Sequence, residues 1–215
     1  MTTNRLTMVI LIAGALIVAF LITVTTKRAT PLAACRNIPS DASPDLRYHY
    51  CQICSTDINI RKQGITELYQ YSPVDHRVLL PLLAEIMTTD DYIGHLAGGR
   101  SYLAQLAGQA VPSIAGIDAV PTLRHALHSD KCIEIHAGLT GVTGLLAVRG
   151  RAVDPHTNKV NQALLGLLPD IHRLTTYDTL ESYAVRRAFM GKIAHRAEYL
   201  EMRVKQLLPT STSTE

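Results

Sequence analysis

Two apolar patterns divide the chain. From Leu6 to Val24 (LTMVILIAGALIVAFLITV) no residue carries a charge, and from Pro44 to Leu208 apolar residues recur at spacings of three and four. The first run, coiled as a helix at roughly 1.5 Å per residue, reaches about 28 Å, the thickness of a bilayer's hydrocarbon core. Arg5 precedes it and Lys27-Arg28 follow it. A cleaved signal peptide usually carries a shorter apolar region that ends at a small-residue site. The pattern therefore predicts a tail and transmembrane anchor over 1–24. The second pattern is the helical one, with no sustained alternation of period two. It predicts helix pairs at 44–54/57–71, 74–88/90–107, 118–128/130–148 and 157–175/178–208. Between the two patterns, 25–43 is rich in Thr, Ala, Ser, Asp and Pro, which reads as a linker. The sequence PTSTSTE over 209–215 reads as a frayed tail.

Within 44–208 one pattern repeats: Ser/Thr-Asp-x-x-Ile-x-x-x-Gly/Ala. It occurs at Thr56-Asp57 with Ile60 and Gly64, at Thr89-Asp90 with Ile93 and Ala97, and at Ser129-Asp130 with Ile133 and Ala137. Pro81 and Leu83 are answered by Pro121 and Leu123, and Leu106-Ala107 by Leu146-Ala147. A looser fourth copy holds Pro169, Ile171, Asp178 and Ala184. Each Asp is expected to cap the second helix of its pair by accepting orphan N–H groups. Each proline is expected in the first turns of a leading helix, where a missing N–H is tolerated. Such phasing is the mark of a repeat array, in which stacked neighbours bury one continuous core.

These residues resemble HEAT-type helical repeats, including the HEAT-like repeats of the phycobilisome-lyase family. Ala119 to Ala147 carries most of the likeness and Val78 to Ala107 the rest. The resemblance implies an all-α chain, an α-solenoid of about four helix pairs over 44–208, used as a protein-binding surface. It carries no lyase activity with it, because HEAT-like repeats serve unrelated roles. Where the family often places an Arg before the small residue, this chain has Gln63, Leu96 and His136, so an Arg ladder is missing.

Composition narrows the function classes. Apolar residues make up 47% and charged residues 18%, with a mean hydropathy of +0.11, which excludes a largely disordered chain. A net charge of +3, no Trp and two Phe speak against a nucleic-acid binder. No G-x-S-x-G or H-E-x-x-H occurs, and no His is followed by Glu, so no hydrolytic or iron-binding constellation is expected. No cofactor is expected either.

The remaining chemistry lies in two clusters. Cys51 and Cys54 are three apart on one helix face, and Cys35 lies upstream. Core packing, a disulfide from Cys35 to one of the pair, or a metal site are the readings of these thiols. Leu32-Ala33-Ala34-Cys35 also resembles a lipobox, but Thr25 to Pro31 separate it from the apolar run. The second cluster is His125, His128, Cys132 and His136, residue types that suit zinc or copper, although solvated or core side chains explain them as well. Gly98-Gly99 and Gly138-x-x-Gly141-x-x-Gly144 follow no strand, so they mark close helix packing rather than a phosphate loop.

The function expected on these grounds is a membrane-anchored helical-repeat scaffold that captures a protein partner. Its face would be lined by the second helix of each pair, with Arg61, Arg100, Glu134, Arg186 and Arg187 as polar positions there. The alternative is a metal-binding or redox protein of the cell envelope that uses the Cys51/Cys54 pair or the His125–His136 cluster. The long basic last helix adds a possible contact with anionic lipid. The side of the membrane is left open: Lys27, Arg28 and Arg36 place the domain in the cytoplasm, and the even cysteine count places it outside.

Overall fold

The computed structural model describes residues 28–36, 38, 42–71, 77–96, 99–149, 156–177 and 192–208. These residues are mostly helical. A short 3₁₀ turn, Ala33–Arg36, precedes α1 (Pro44–Ile53) and α2 (Ile58–Tyr71). Then come α3 (Leu80–Met87), strands β1 (Tyr92–Leu96) and β2 (Gly99–Tyr102), and α4 (Leu103–Ala115). The chain continues through α5 (Val120–Leu127), α6 (Cys132–Arg149), α7 (His156–Gly166), α8 (Leu168–Thr175) and α9 (Ile193–Lys205).

Local chemistry sets the element boundaries. Ser43 caps α1, its Oγ accepting from the Leu46 N–H at 3.2 Å, with Pro44 at the first helical position and Asp45 in the first turn. Asp57 does for α2 what the repeat pattern predicts, accepting from the Asn59 N–H at 2.8 Å. Three leading helices share one register. Pro81, Pro121 and Pro169 each sit at the start of a helix. Two residues on, Leu83, Leu123 and Ile171 are wholly buried. Five residues on, so are Ile86, Ala126 and Leu174. The proline side chains face solvent.

Several expectations give way. The helix predicted over 90–107 is instead a β-hairpin followed by α4, which runs on to Ala115. β1 and β2 pair antiparallel, with Tyr92 opposite Tyr102 and their rings edge-to-face at 6.0 Å. Gly94, Gly98 and Gly99 disfavour a helix, and Tyr92, Ile93 and Tyr102 favour strand pairing. Asp90 therefore caps no helix. Asp130 does not either: Ser129 Oγ accepts from the Lys131 N–H at 3.0 Å there. The helix predicted over 157–175 breaks at Leu167, where Pro169 opens α8. Within the predicted 178–208, the described helix is Ile193–Lys205.

Single-pass membrane attachment is corrected as well. Among the described residues no helix is long and apolar enough to cross a membrane. The span predicted at Leu6–Val24 lies outside the described residues, and the localisation built on it falls.

Packing follows chain order. α1 lies against α2, α3 against α4, α5 against α6, and α8 against α9; α2, α4, α6 and α9 are in turn successive neighbours. One apolar cluster runs through the whole, from Ala29 and Leu32 to Leu200 and Val204. The glycines of α6 make its close approaches possible. A Cβ on Gly144 would lie 2.7 Å from Pro112 Cγ of α4, and one on Gly141 would run into Leu123 of α5 and stand 3.0 Å from the Gly108 carbonyl. A side chain at these positions would push the helices apart.

Candidate functional site

The central helices leave little surface. Among the described residues α4 has no exposed side chain, and on α6 only Thr143 and Ala147 are exposed. Of the second helices expected to line a binding face, α4 and α6 are thus enclosed, whereas α2 exposes Asn59, Ile60, Gln63 and Tyr69 and α9 exposes Glu198, Tyr199, Met202, Arg203 and Lys205. Two of the residues chosen for that face are interior. Arg61 has 0% of its surface exposed and Glu134 6%. The Arg100 side chain, Arg186 and Arg187 lie outside what the structure describes.

Arg61 holds a polar junction together. The segment Arg28–Arg36 lies along the start of the helical array. Arg28 pairs with Asp57 as a β-bridge, and the Ala29 N–H donates to the Thr56 carbonyl at 2.8 Å. Asp91 accepts from the Thr30 N–H at 2.9 Å and the Thr30 hydroxyl at 2.7 Å. Arg61 donates from Nη1 to the Thr30 carbonyl at 2.7 Å and approaches Asp91 Oδ2 at 3.5 Å, while its Nε donates to the Ser55 carbonyl at 3.1 Å. Its Nη2 is buried without a partner. Burial pulls the guanidinium pKa down, and the charges of Asp91 and Glu85 oppose this. Glu85 accepts from the Ala33 and Ala34 N–H groups at 2.6 and 2.9 Å.

Cys35 closes this segment covalently. It is bonded to Cys54, just past the end of α1, with the Cα atoms 5.6 Å apart. The Tyr50 hydroxyl donates to the Ala34 carbonyl beside it at 3.1 Å. Cys51, one turn back along α1, is a free and exposed thiol.

The second predicted cluster does not come together. His125 is exposed and stands 3.9 Å from Glu134 Oε1. The carboxylate of Glu134 accepts from the Ser129 hydroxyl at 2.7 Å. His128 pairs with Asp170 of α8 at 2.7 Å. Cys132 Sγ lies 3.8 Å from the Tyr177 hydroxyl. His136 is wholly buried, and its Nδ1 accepts from Arg196 Nη1 at 3.0 Å. Arg196 also donates to the Thr140 hydroxyl at 2.9 Å. This basic residue of the last helix thus binds α6 rather than facing a surface. Among the described residues no three His, Cys, Asp or Glu side chains are placed to hold a metal ion. His125, His128, Cys132 and His136 each have a separate partner, as the reading of solvated or core side chains allows. The helical spacing was right, but the turn at 128–130 sends the side chains to different partners.

What the first helices do display is a set of links from one pair to the next. Arg77, just before α3, reaches Asp118, just before α5, at 2.8 Å. Arg124 of α5 donates to Asp170 at 3.0 Å and to the Gly166 carbonyl at 2.9 Å. Arg173 donates back to the Leu127 carbonyl at 2.6 Å. Partial burial pushes the Asp170 carboxyl up, but hydrogen bonds from His128 and Arg124, with their charges, outweigh it and hold the carboxyl below its ordinary range. His172 and Lys205 meet Glu201 of α9 at 3.0 and 2.6 Å. The Lys205 bond holds Glu201 below its ordinary range; desolvation opposes it, and His172 adds to the lowering. Sequence reading named Arg61 for the wrong role and missed Asp91, Arg124, Asp170 and Arg196. Each contact spans 30 or more positions of sequence, and a local motif search carries no signal for that.

Compared with protein-family models, curated proteins and solved structures, the chain matches none of them.

Proposed function

We propose that the chain is a HEAT-like α-solenoid that serves as a scaffold for a protein partner, bound along the ridge of first helices. The observation that carries this reading is the order of packing: consecutive helix pairs whose second helices are successive neighbours. That arrangement encloses α4 and α6, the central second helices, and leaves side chains of the first helices α3, α5 and α8 exposed beside them. Pro81, Pro121 and Pro169 mark equivalent exposed points on these first helices. Arg124, His125 and His128 on one helix, and His172 and Arg173 on the next, supply polar contacts between them. Backbone geometry is set by the buried core, so these exposed side chains are free to vary for recognition.

A photo-crosslinking amino acid placed at position 81, 125 or 169 of the chain in its native cells tests this. The expected result is one shared partner from all three positions and none from position 143 or 159, which are exposed on α6 and α7. Crosslinking from 143 and 159 only, or from no position, would overturn the assignment.

A further inference from the structure

Three cysteines meet at one corner of the fold, and Cys54 has two admissible partners. We propose that the Cys51 thiol and the Cys35–Cys54 disulfide form a thiol–disulfide exchange site, at which Cys51 displaces Cys35 from Cys54.

Cys51 lies in α1 and Cys54 follows directly after it, with helical backbone dihedrals and its N–H bonded to the Tyr50 carbonyl at 2.9 Å. Both cysteines therefore share one turn and one face, with Cβ atoms about 5–6 Å apart in a regular helix. A disulfide asks for about 3.5–4.5 Å, so roughly 1 Å of closure is needed. Cys54 is the C-cap of the helix, and Ser55 after it leaves the helical path, so the closure falls at the helix end rather than within it. Cys51 is exposed and free, so solvent and small thiols reach it.

The step balances without an outside reagent. The Cys51 thiolate attacks Cys54 Sγ; the Cys35–Cys54 bond breaks as the Cys51–Cys54 bond forms, and Cys35 leaves as a thiolate that takes up a proton. One disulfide and one thiol stand on each side. The result is a change in what ties the N-terminal segment down. Before exchange, Cys35 is bonded to the end of α1. Afterwards, 28–36 is held by non-covalent contacts: the backbone pairing with Thr56 and Asp57, the bonds to Asp91, Glu85, Arg61 and Tyr50, and its own buried Ala29 and Leu32. The site would take small thiols and disulfides of the same class from solution, with Cys51 as the point of entry.

Tryptic peptides distinguish the two states. Cleavage gives 29–36 with Cys35 and 48–61 with both Cys51 and Cys54. The oxidised full-length protein is held at pH 6.5 or 8.5, alkylated, quenched in acid and digested without reductant. The expected result at pH 6.5 is 29–36 crosslinked to 48–61, with Cys51 alkylated. At pH 8.5 a growing share should be alkylated 29–36 together with an internally bonded 48–61, because the thiolate is the attacking form in exchange. Cys51→Ser should remove this product, and Cys35→Ser should form the internal bond on oxidation with glutathione disulfide. Cys35 that remains linked to Cys54 at both pH values would overturn the proposal. So would a Cys35→Ser chain that never closes the 51–54 bond, or a product that appears only as a concentration-dependent dimer.

Discussion

Arg61 with Asp91 and Arg124 with Asp170 are the same chemical pair used in two environments. Each joins one part of the helical row to the next. Arg61 is wholly enclosed, stands 3.5 Å from its carboxylate and leaves one nitrogen without a partner. Arg124 is about half exposed, at 48%, and lies 3.0 Å from Asp170, with its other donor on the Gly166 carbonyl. In the first pair burial is the leading influence, and it acts on the arginine. In the second, bonding from Arg124 and His128 prevails over burial, and it acts on the aspartate. An enclosed pair adds little net stability once desolvation is counted, yet it leaves a charge stranded if one member is lost. An open pair contributes modestly and loses modestly. The N-terminal junction is therefore brittle, whereas the ridge is tolerant.

The largest effect is expected at Arg61. Arg61→Ala should lower stability by about 3–5 kcal/mol, because Asp91 stays buried without its cation. A chain carrying Arg61→Met with Asp91→Asn should recover at least half of that, since Asn still accepts from the Thr30 N–H and no charge is left enclosed. Urea denaturation of the three chains measures both. A loss under 1 kcal/mol for Arg61→Ala would mean that water reaches Asp91 and that the contrast in environment does not decide the energetics.

Next comes the covalent closure of the same junction. Cys35 and Cys54 are 19 positions apart, and opening a loop of that size costs about 3 kcal/mol in the chain-entropy account. Cys35→Ser with Cys54→Ser should show that loss. If the chain is the array proposed above, the loss should be local. Amide exchange should speed up across α1 and α2, whereas α8 and α9 keep their protection. Equal acceleration at both ends would dissolve the distinction between the two regions.

Much of this contrast was hidden from the sequence. Spacing of three and four located most helices, and the prolines at 81, 121 and 169 marked the leading ones, because a proline's fixed φ favours the first turn. The glycines of α6 were legible as packing positions for the same local reason. Arg61 was not. A polar residue on a helix reads as solvated unless its partners are known, and Thr30 and Asp91 lie 31 and 30 positions away. The cysteine count allowed a disulfide from Cys35 but did not choose between Cys51 and Cys54. The β-hairpin was missed because Thr89-Asp90 with Ile93 copied the helix-start pattern of Asp57. Cross-strand contact between Tyr92 and Tyr102 outweighed that local cue.

The smallest effect probes the ridge through pH. A carboxylate whose folded pKa is depressed stabilises the fold fully above its unfolded pKa, about 3.9 for Asp. That stability is lost as pH falls through the lower folded value. Asp170→Asn should be less stable than the parent chain by about 1–2 kcal/mol at neutral pH, the worth of hydrogen bonds to charged groups. The gap should narrow below about pH 4 and close near the folded pKa, where the parent's Asp170 is protonated as well. Glu201 is depressed in both chains, so its own acid dependence cancels in the difference. Thermal melts of the two chains from pH 7 to pH 2.5 trace this gap. One that persists undiminished at the acid end would show that Asp170 acts through shape and neutral hydrogen bonding. The ridge would then depend on fit as the enclosed junction does, and the division between a brittle end and a tolerant, titratable face would fail.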